Sequence, residues 1–294
     1  VPFLAALLVD GALAGVVYAL VGLAFVVVYK GSRMINFALG ESVMLGSRLV
    51  ASGLHVFGLG LLGAVGLGCA GMVAMALLFN RIVLRRLVGR PLIAAIMVTL
   101  GLGTLIRGSA ALVFAGVPAD IALPFGETPL MIRGVPVSTA RLAAAVVAVL
   151  GIAAVSWVFH GSRTGVALRA VADDQQVAMA VGIDIQRHVA ITWAIAGVLC
   201  ALAGTLWTSV SGGGFSLVLL GVRVFPIVII GGLDSIPGTV VAAVLVGVLE
   251  SLTAGYVDPL VGGGFSVVAS YLVLVAMLVA RPHGLFGRPV VERV

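Results

Sequence analysis

The sequence predicts an all-α protein, a polytopic membrane helical bundle with about eight transmembrane helices. Three observations predict it. The 294 residues are 62% hydrophobic and only 10% charged, with a mean hydropathy of +1.27, whereas a water-soluble domain carries charge on about a quarter of its residues. Apolar runs recur at the ~20-residue length a helix needs to cross about 30 Å of hydrocarbon. These runs are continuous and rich in Ala, Leu and Gly, without the residue-by-residue alternation over segments of about ten residues that a membrane barrel shows.

Taken in order, the candidate spans cover 3–29, 34–53, 56–79, 92–115, 141–159, 189–209 and 264–280. The first is too long for a signal-peptide core and lacks a basic leader, so it reads as a retained helix. An apolar hairpin over 222–253 is interrupted by GGLDSIPG (Gly231 to Gly238). Its turn can cross fully or stop at mid-membrane as a re-entrant break, and the sequence leaves both open. Small residues at i, i+4 spacing (Gly11/Gly15, Ala64/Gly68, Ala243/Gly247) allow close helix approach in lipid. The similar stretches GALAGVVYALVGLAF and GTVVAAVLVGVLESL fit either an internal repeat or a coincidence of biased composition.

Basic residues set the expected orientation. Twelve of the seventeen fall in one set of loops and ends: Lys30, Arg33, Arg81, Arg85, Arg86, Arg90, Arg163, Arg169, Arg187, Arg281, Arg288 and Arg293. With these loops cytoplasmic, the amino terminus lies outside and the carboxyl terminus inside. The opposite loop, 116–140, carries Asp120, Glu127 and Arg133. The net charge of +6 reports loop orientation rather than a nucleic-acid partner.

Much chemistry is excluded. Lys30 is the only lysine and sits in YKGS, so no P-loop can form. His55, His160, His188 and His283 lie apart, without metal-ligand spacing, and Cys69 and Cys200 read as small hydrophobes within spans. No nucleophile–base motif is visible, so no catalytic residue, metal or cofactor is expected.

Six ionisable residues interrupt apolar runs: Asp10, Glu41, Arg48, Arg107, Arg223 and Glu250. Each costs about 2.5–3.5 kcal/mol at a helix centre on insertion scales, so each should face protein or water. Asp10 falls near the outer interface; Arg223 and Glu250 fall near the outer ends of the hairpin limbs, where they can snorkel or pair. MINFALGESVMLGS (Met34 to Ser47) reads either as a broken helix lining a substrate path, with Asn36, Gly40 and Glu41 exposed to it, or as an edge segment entering late with Glu41 on Arg48 or Arg33. Arg107 can contact a substrate carboxylate, form a buried ion pair or snorkel.

One long polar stretch stands out, SRTGVALRAVADDQQVAMAVGIDIQR (162–187). TGVALRAVA forms a short helical turn. Asp173 and Asp174 can cap a second short helix, QQVAMAV, which Gly182 can end in the left-handed conformation, and Asp184 can cap the next span. The helices expose Val177, Ala178 and Met179, as a docking surface or as a face resting on headgroups.

At these residues the chain resembles a family: the integral-membrane permease subunits of branched-chain amino acid ATP-binding-cassette importers. GVVYALVGLAFVVVYKGSRMINFALGE is similar to the family's opening, with Leu39 where His or Gln is common. QVAMAVG (Gln176 to Gly182) resembles the coupling motif E-A-A-x-x-x-G, GGLDSIPG resembles G-G-x-G-S-I-x-G, and RPHGLFG (Arg281 to Gly287) resembles the family's ending. The resemblance covers nearly the whole chain. It implies a single permease domain, 1–294, in a bacterial inner membrane, with 162–187 as its ATPase-coupling loop. Asp174, Gln176, Val177, Ala178, Met179 and Gly182 would then meet the ATPase. It also implies a second permease subunit, two cytoplasmic ATPases and an external substrate-binding protein, with import by alternating access. An ion-coupled secondary transporter built on Glu41 and a permease for amides or urea are the competing readings.

Overall fold

The computed structural model describes residues 2–87, 91–124, 130–132, 135–173, 175–281 and 283–287. Arg90, Glu127, Arg133, Asp174, Arg288 and Arg293 lie outside the described residues. The elements in order are α1 (Pro2–Ser32), α2 (Leu39–His55), α3 (Leu61–Phe79) with a π-turn (Asn80–Leu84) and single turn α4 (Arg85–Leu87), and α5 (Leu92–Val113). A ribbon β1 (Leu130–Ile132) and β2 (Val135–Val137) follows, then α6 (Thr139–Gly161), α7 (Arg163–Asp173), α8 (Gln175–Ala180) and α9 (Ile185–Ser211). Last come a 3-10 turn (Phe215–Leu217), α10 (Val218–Gly231), α11 (Ile236–Tyr256), α12 (Asp258–Val261) and α13 (Phe265–Ala280).

Six helical stretches are long and apolar enough to cross a membrane, and Phe215–Gly231 and Phe265–Ala280 are shorter apolar helices. The polytopic helical bundle read from the sequence is what the chain forms. The antiparallel ribbon, with Leu130 opposite Val137, was not foreseen.

The bundle is built around α1. Between Val17 and Val28 its residues are almost fully buried, with Ala19, Leu20, Val21 and Leu23 at 0% exposure, as expected of a helix apolar on every face. Its 31 residues span about 46 Å, more than the ~30 Å hydrocarbon core. Arg33, with φ +54°, ends it. α11 runs antiparallel along α1 on glycine. A methyl group on Gly15 would stand 2.7 Å from the Ala243 carbonyl oxygen, and one on Gly247 would stand 2.5 Å from that of Gly11. Two small-residue pairs read separately in the sequence are thus the two sides of one contact, held by close backbone approach.

We call the side where α1 begins the near side and the side where it ends the far side. The α10–α11 turn lies on the far side, where Gly31 meets Thr192 of α9 and Arg33 meets Ala172 of α7. The segment after α13 folds over that turn: Leu285 N–H donates to Ile230 O at 2.7 Å and Phe286 N–H to Gly231 O at 3.3 Å. Gly232 and Gly284, at φ +101° and +73°, make the fit possible, since only glycine takes that backbone without strain. The motifs GGLDSIPG and RPHGLFG are therefore two halves of one clasp.

Candidate functional site

The first polar constellation sits where α1 gives way to α2. Residues 33–38 form no regular helix and run back into the bundle. Buried Asn36 accepts a hydrogen bond from Ala38 N–H at 3.0 Å, a local turn that satisfies one backbone donor and competes with helix. Thr99 of α5 accepts from Phe37 N–H at 3.4 Å and donates to Ile35 O at 3.3 Å. α2 then begins deep inside: a methyl group on Gly40 would lie 2.2 Å from Val218 O of α10, and Gly46 rests on Ala201, midway along α9. The sequence span 34–53 is corrected accordingly, because its first turn is irregular chain. The pairing of Glu41 with Arg48 or Arg33 is not what forms: Glu41 is buried and has another partner.

That partner is Arg107 of α5, whose Nη2 lies 2.5 Å from Glu41 Oε1. Gly103, one turn earlier, lets α5 approach: its Cβ position is 3.1 Å from the Glu41 carboxyl carbon. The pair is lopsided, with the Glu41 side chain 10% exposed and that of Arg107 56%. Asn36, Gly40, Glu41 and Arg107 therefore fall in one region. Arg48 instead donates to Val117 O at 2.9 Å and lies over the Phe215 ring at 5.1 Å.

The second element is the loop 162–187. Ser162 starts α7, accepting from Gly165 N–H at 2.9 Å, and Gly165 allows α7 to fold onto α6 with its Cβ position 2.3 Å from Val158 O. Leu168 and Val171 are buried in the core, and guanidinium groups tie α7 to its neighbours: Arg169 donates to Phe159 O of α6 and Arg33 Nε to Ala172 O at 3.0 Å. α8 ends as expected. Gly182 takes φ +86°, with Ile183 N–H on Ala178 O at 3.0 Å and Gly182 N–H on Met179 O at 3.0 Å, a left-handed cap that satisfies final carbonyls. Asp184 caps α9 by accepting from Arg187 N–H at 3.2 Å. Val177, Met179 and Val181 are 59%, 53% and 71% exposed. Ala178, expected beside them, is a correction: it is 2% exposed, because the exposed stripe runs through Val177, Ala180 and Val181 at i, i+3 and i+4 and Ala178 falls off it, toward the bundle. Gln176 lies in α8, and Asp174 is outside the described residues.

A third constellation joins residues that the sequence offers only singly. On the near side, Glu250 of α11 accepts from the Tyr18 hydroxyl of α1 at 2.8 Å and from the Ser270 hydroxyl of α13 at 3.0 Å. Arg223 of α10 donates to the Tyr18 oxygen at 3.3 Å and stands 3.9 Å from Glu250. Closer to the start of α1, Arg141 of α6 pairs with Asp10 at 2.7 Å. A cavity of about 230 Å³ lies among these groups, walled by Trp207, which stacks on Tyr18 with ring centroids 5.0 Å apart. Arg223 and Glu250 could be read as pairable from their places on the hairpin limbs. Tyr18 carried no such signal.

The family model described as "Branched-chain amino acid transport system / permease component" matches residues 7–281. The high-affinity branched-chain amino acid transport system permease protein BraD of Pseudomonas aeruginosa is 31% identical over 308 residues, covering 98% of this chain and 97% of its own. The corresponding permease protein LivH is 28% identical over 301 residues, covering 97% of this chain and 96% of its own, both in Escherichia coli (strain K12) and in Salmonella typhimurium. With a multi-pass helical bundle and the family's model matched along nearly its whole length, the chain belongs to the branched-chain amino acid transport system permease components.

Proposed function

We propose that the chain is the membrane-spanning permease subunit of an ATP-driven importer for branched-chain or related hydrophobic amino acids, working in the inner membrane by alternating access. The observation that carries this is the loop 162–187, whose capped helices leave Val177, Met179 and Val181 exposed. An apolar helix face of this kind suits insertion into a groove on a partner, here one of two cytoplasmic ATPases. A second permease subunit and an external binding protein complete the assembly, as in the family the sequence resembles. Residues 1–294 act as one domain.

The loop is braced for leverage. Arg169 and Arg33 tie α7 to α6 and to the end of α1, so displacement at α8 reaches α1, the helix at the centre of the bundle. Asn36, Gly40, Glu41 and Arg107 line the path in this reading, at a helix start whose free N–H groups favour negative charge. Pairing with Arg107 occupies Glu41, the carboxylate on which the ion-coupled reading is built.

Two measurements test the proposal. Uptake by reconstituted protein should require ATP and the partner subunits; uptake by this chain alone on an ion gradient would overturn it. Gly182→Arg should release the ATPases from the membrane complex while leaving the chain inserted. No atom lies within 4 Å of the position its Cβ would take, so the effect is local: a strained backbone, costing about 1–2 kcal/mol, and a bulky cation on the docking face. Unchanged ATPase co-purification would count against the docking role.

A further inference from the structure

We propose that the near-side cavity is a binding site for the zwitterionic head of a free α-amino acid, formed within this one subunit. The proposal deepens the transport reading and rests on it for the source of the ligand.

The chemistry comes from how the four charges are held. Glu250 is satisfied by neutral donors, the hydroxyls of Tyr18 at 2.8 Å and Ser270 at 3.0 Å, one on each carboxylate oxygen. Arg223 is therefore held loosely, at 3.3 Å from Tyr18 and 3.9 Å from Glu250, through Nη1 in both contacts. A guanidinium has five donors in a planar fork that matches a carboxylate. Its side chain is 35% exposed and lines the cavity. A ligand carboxylate can take it without unsatisfying Glu250.

The complementary charge is Asp10. Its contact with Arg141 uses Oδ2, and the two side chains are 37% and 36% exposed, so the carboxylate remains open to an ammonium group. Two cations and two anions line the cavity, which leaves it formally neutral and suited to a ligand carrying one charge of each sign. Between them Leu13, Val17 and Leu206 offer an apolar wall beside Trp207. The volume of about 230 Å³ lies just under the ~300–1,000 Å³ of drug-sized pockets and suits a small metabolite.

The test uses the full complex in lipid nanodiscs, without ATP or binding protein. Cys69 and Cys200 are replaced by alanine, and Ser211, which lines the cavity, becomes this chain's only thiol as Ser211→Cys, its alkylation followed on this chain after the subunits are separated. Alkylation of that thiol is followed with L-leucine, with L-leucinol, which lacks the carboxylate, or with 4-methylpentanoate, which lacks the ammonium. L-Leucine should protect saturably, and each analogue should need about tenfold or more higher concentration, because a site built for a polar group rejects the ligand lacking it. Arg223→Gln should remove the preference for leucine over leucinol, and Asp10→Asn the preference for leucine over 4-methylpentanoate. Because protection is read at one thiol, an amino-acid site elsewhere in the complex does not mimic it. Absence of protection by leucine, or equal protection by all three compounds, would overturn the proposal. If protection fails while the ATPases still co-purify and ATP-driven uptake persists, only this site is refuted; if protection holds while uptake ignores ATP, the transport reading fails instead.

Discussion

Replacing either member of the Glu41–Arg107 pair should have unequal consequences, and the inequality follows from exposure. Arg107→Gln strands a carboxylate whose side chain is 10% exposed, whereas Glu41→Gln strands a guanidinium that is 56% exposed. Breaking a buried pair from one side costs about 3–5 kcal/mol because the surviving charge is uncompensated, while exposed pairs contribute about 0–1 kcal/mol. Arg107→Gln is therefore expected to destabilise by roughly 3 kcal/mol and Glu41→Gln by about 1 kcal/mol. The double variant should be more stable than Arg107→Gln alone, since no stranded charge remains. Unfolding of the three variants in mixed micelles, compared by midpoint, provides the measurement. The small value for Glu41→Gln holds only if the exposed face of Arg107 meets water or a polar partner; against lipid, the freed arginine would cost about 2.5–3.5 kcal/mol. Equal losses for the two single variants would thus refute a wet path beside α5, and additive losses in the double variant would refute the pair itself.

Two further outcomes follow from contacts outside that pair. Gly247→Ala places a methyl group 2.5 Å from Gly11 O and 2.7 Å from Gly15 Cα, all backbone, so overpacking of about 1–3 kcal/mol is expected; Gly66→Ala in α3, with nothing within 4 Å, should be neutral or stabilising in the same unfolding assay, and similar losses for both would refute close α1–α11 contact as the cause. Desolvation works to raise the Asp258 carboxyl, but hydrogen bonds from the Ser266 hydroxyl and from Ser266, Phe265 and Gly264 N–H outweigh it and hold the group below its ordinary 3.8. Its contribution is thus fully present above that pH and fades as pH falls through the lower folded value, so Asp258→Asn should flatten the loss of stability below pH 3.8; an unchanged acid limb would show that the cap on α13 carries no stability.

How much of this was legible depended on whether a feature is local. Helix existence was, because run length and composition are properties of single segments. So was the punctuation of the loop: Ser162, Gly182 and Asp184 act on backbone groups within three or four residues of themselves. The late start of α2 was half-visible, since Asn36 and Gly40 mark a break without saying how deep it lies. The partners were hidden. Glu41 meets Arg107 across 66 positions, and Tyr18 meets Glu250 across 232. Such pairings depend on how each helix is rotated, and a helix apolar on all sides, as α1 is, carries no amphipathic stripe to reveal its rotation. The burial of Ala178 escaped for the same reason, since a single short helix has no pattern long enough to orient it.

Each charge inside the apolar runs meets at least one partner, although the buried Arg48 Nε has none, and that pairing sharpens the question of why they are there. Asp10 has Arg141, Glu250 has Arg223 with two hydroxyls, Glu41 has Arg107, and Arg48 has a backbone carbonyl and an aromatic face. Left alone in hydrocarbon, each would cost about 2.5–3.5 kcal/mol, so these partners are a condition of insertion. They are not a condition of stability, because well-fitted apolar residues commonly replace a buried ion pair with no loss. The rest of the bundle is held by glycine-to-backbone contacts and apolar side chains, and needs no charge to do so. What four of these residues share is a cavity lined by both signs, and what two others share is a guanidinium open on the side of a helix. In the proposed reading, these groups are gathered around one cavity and one open guanidinium to meet a polar solute.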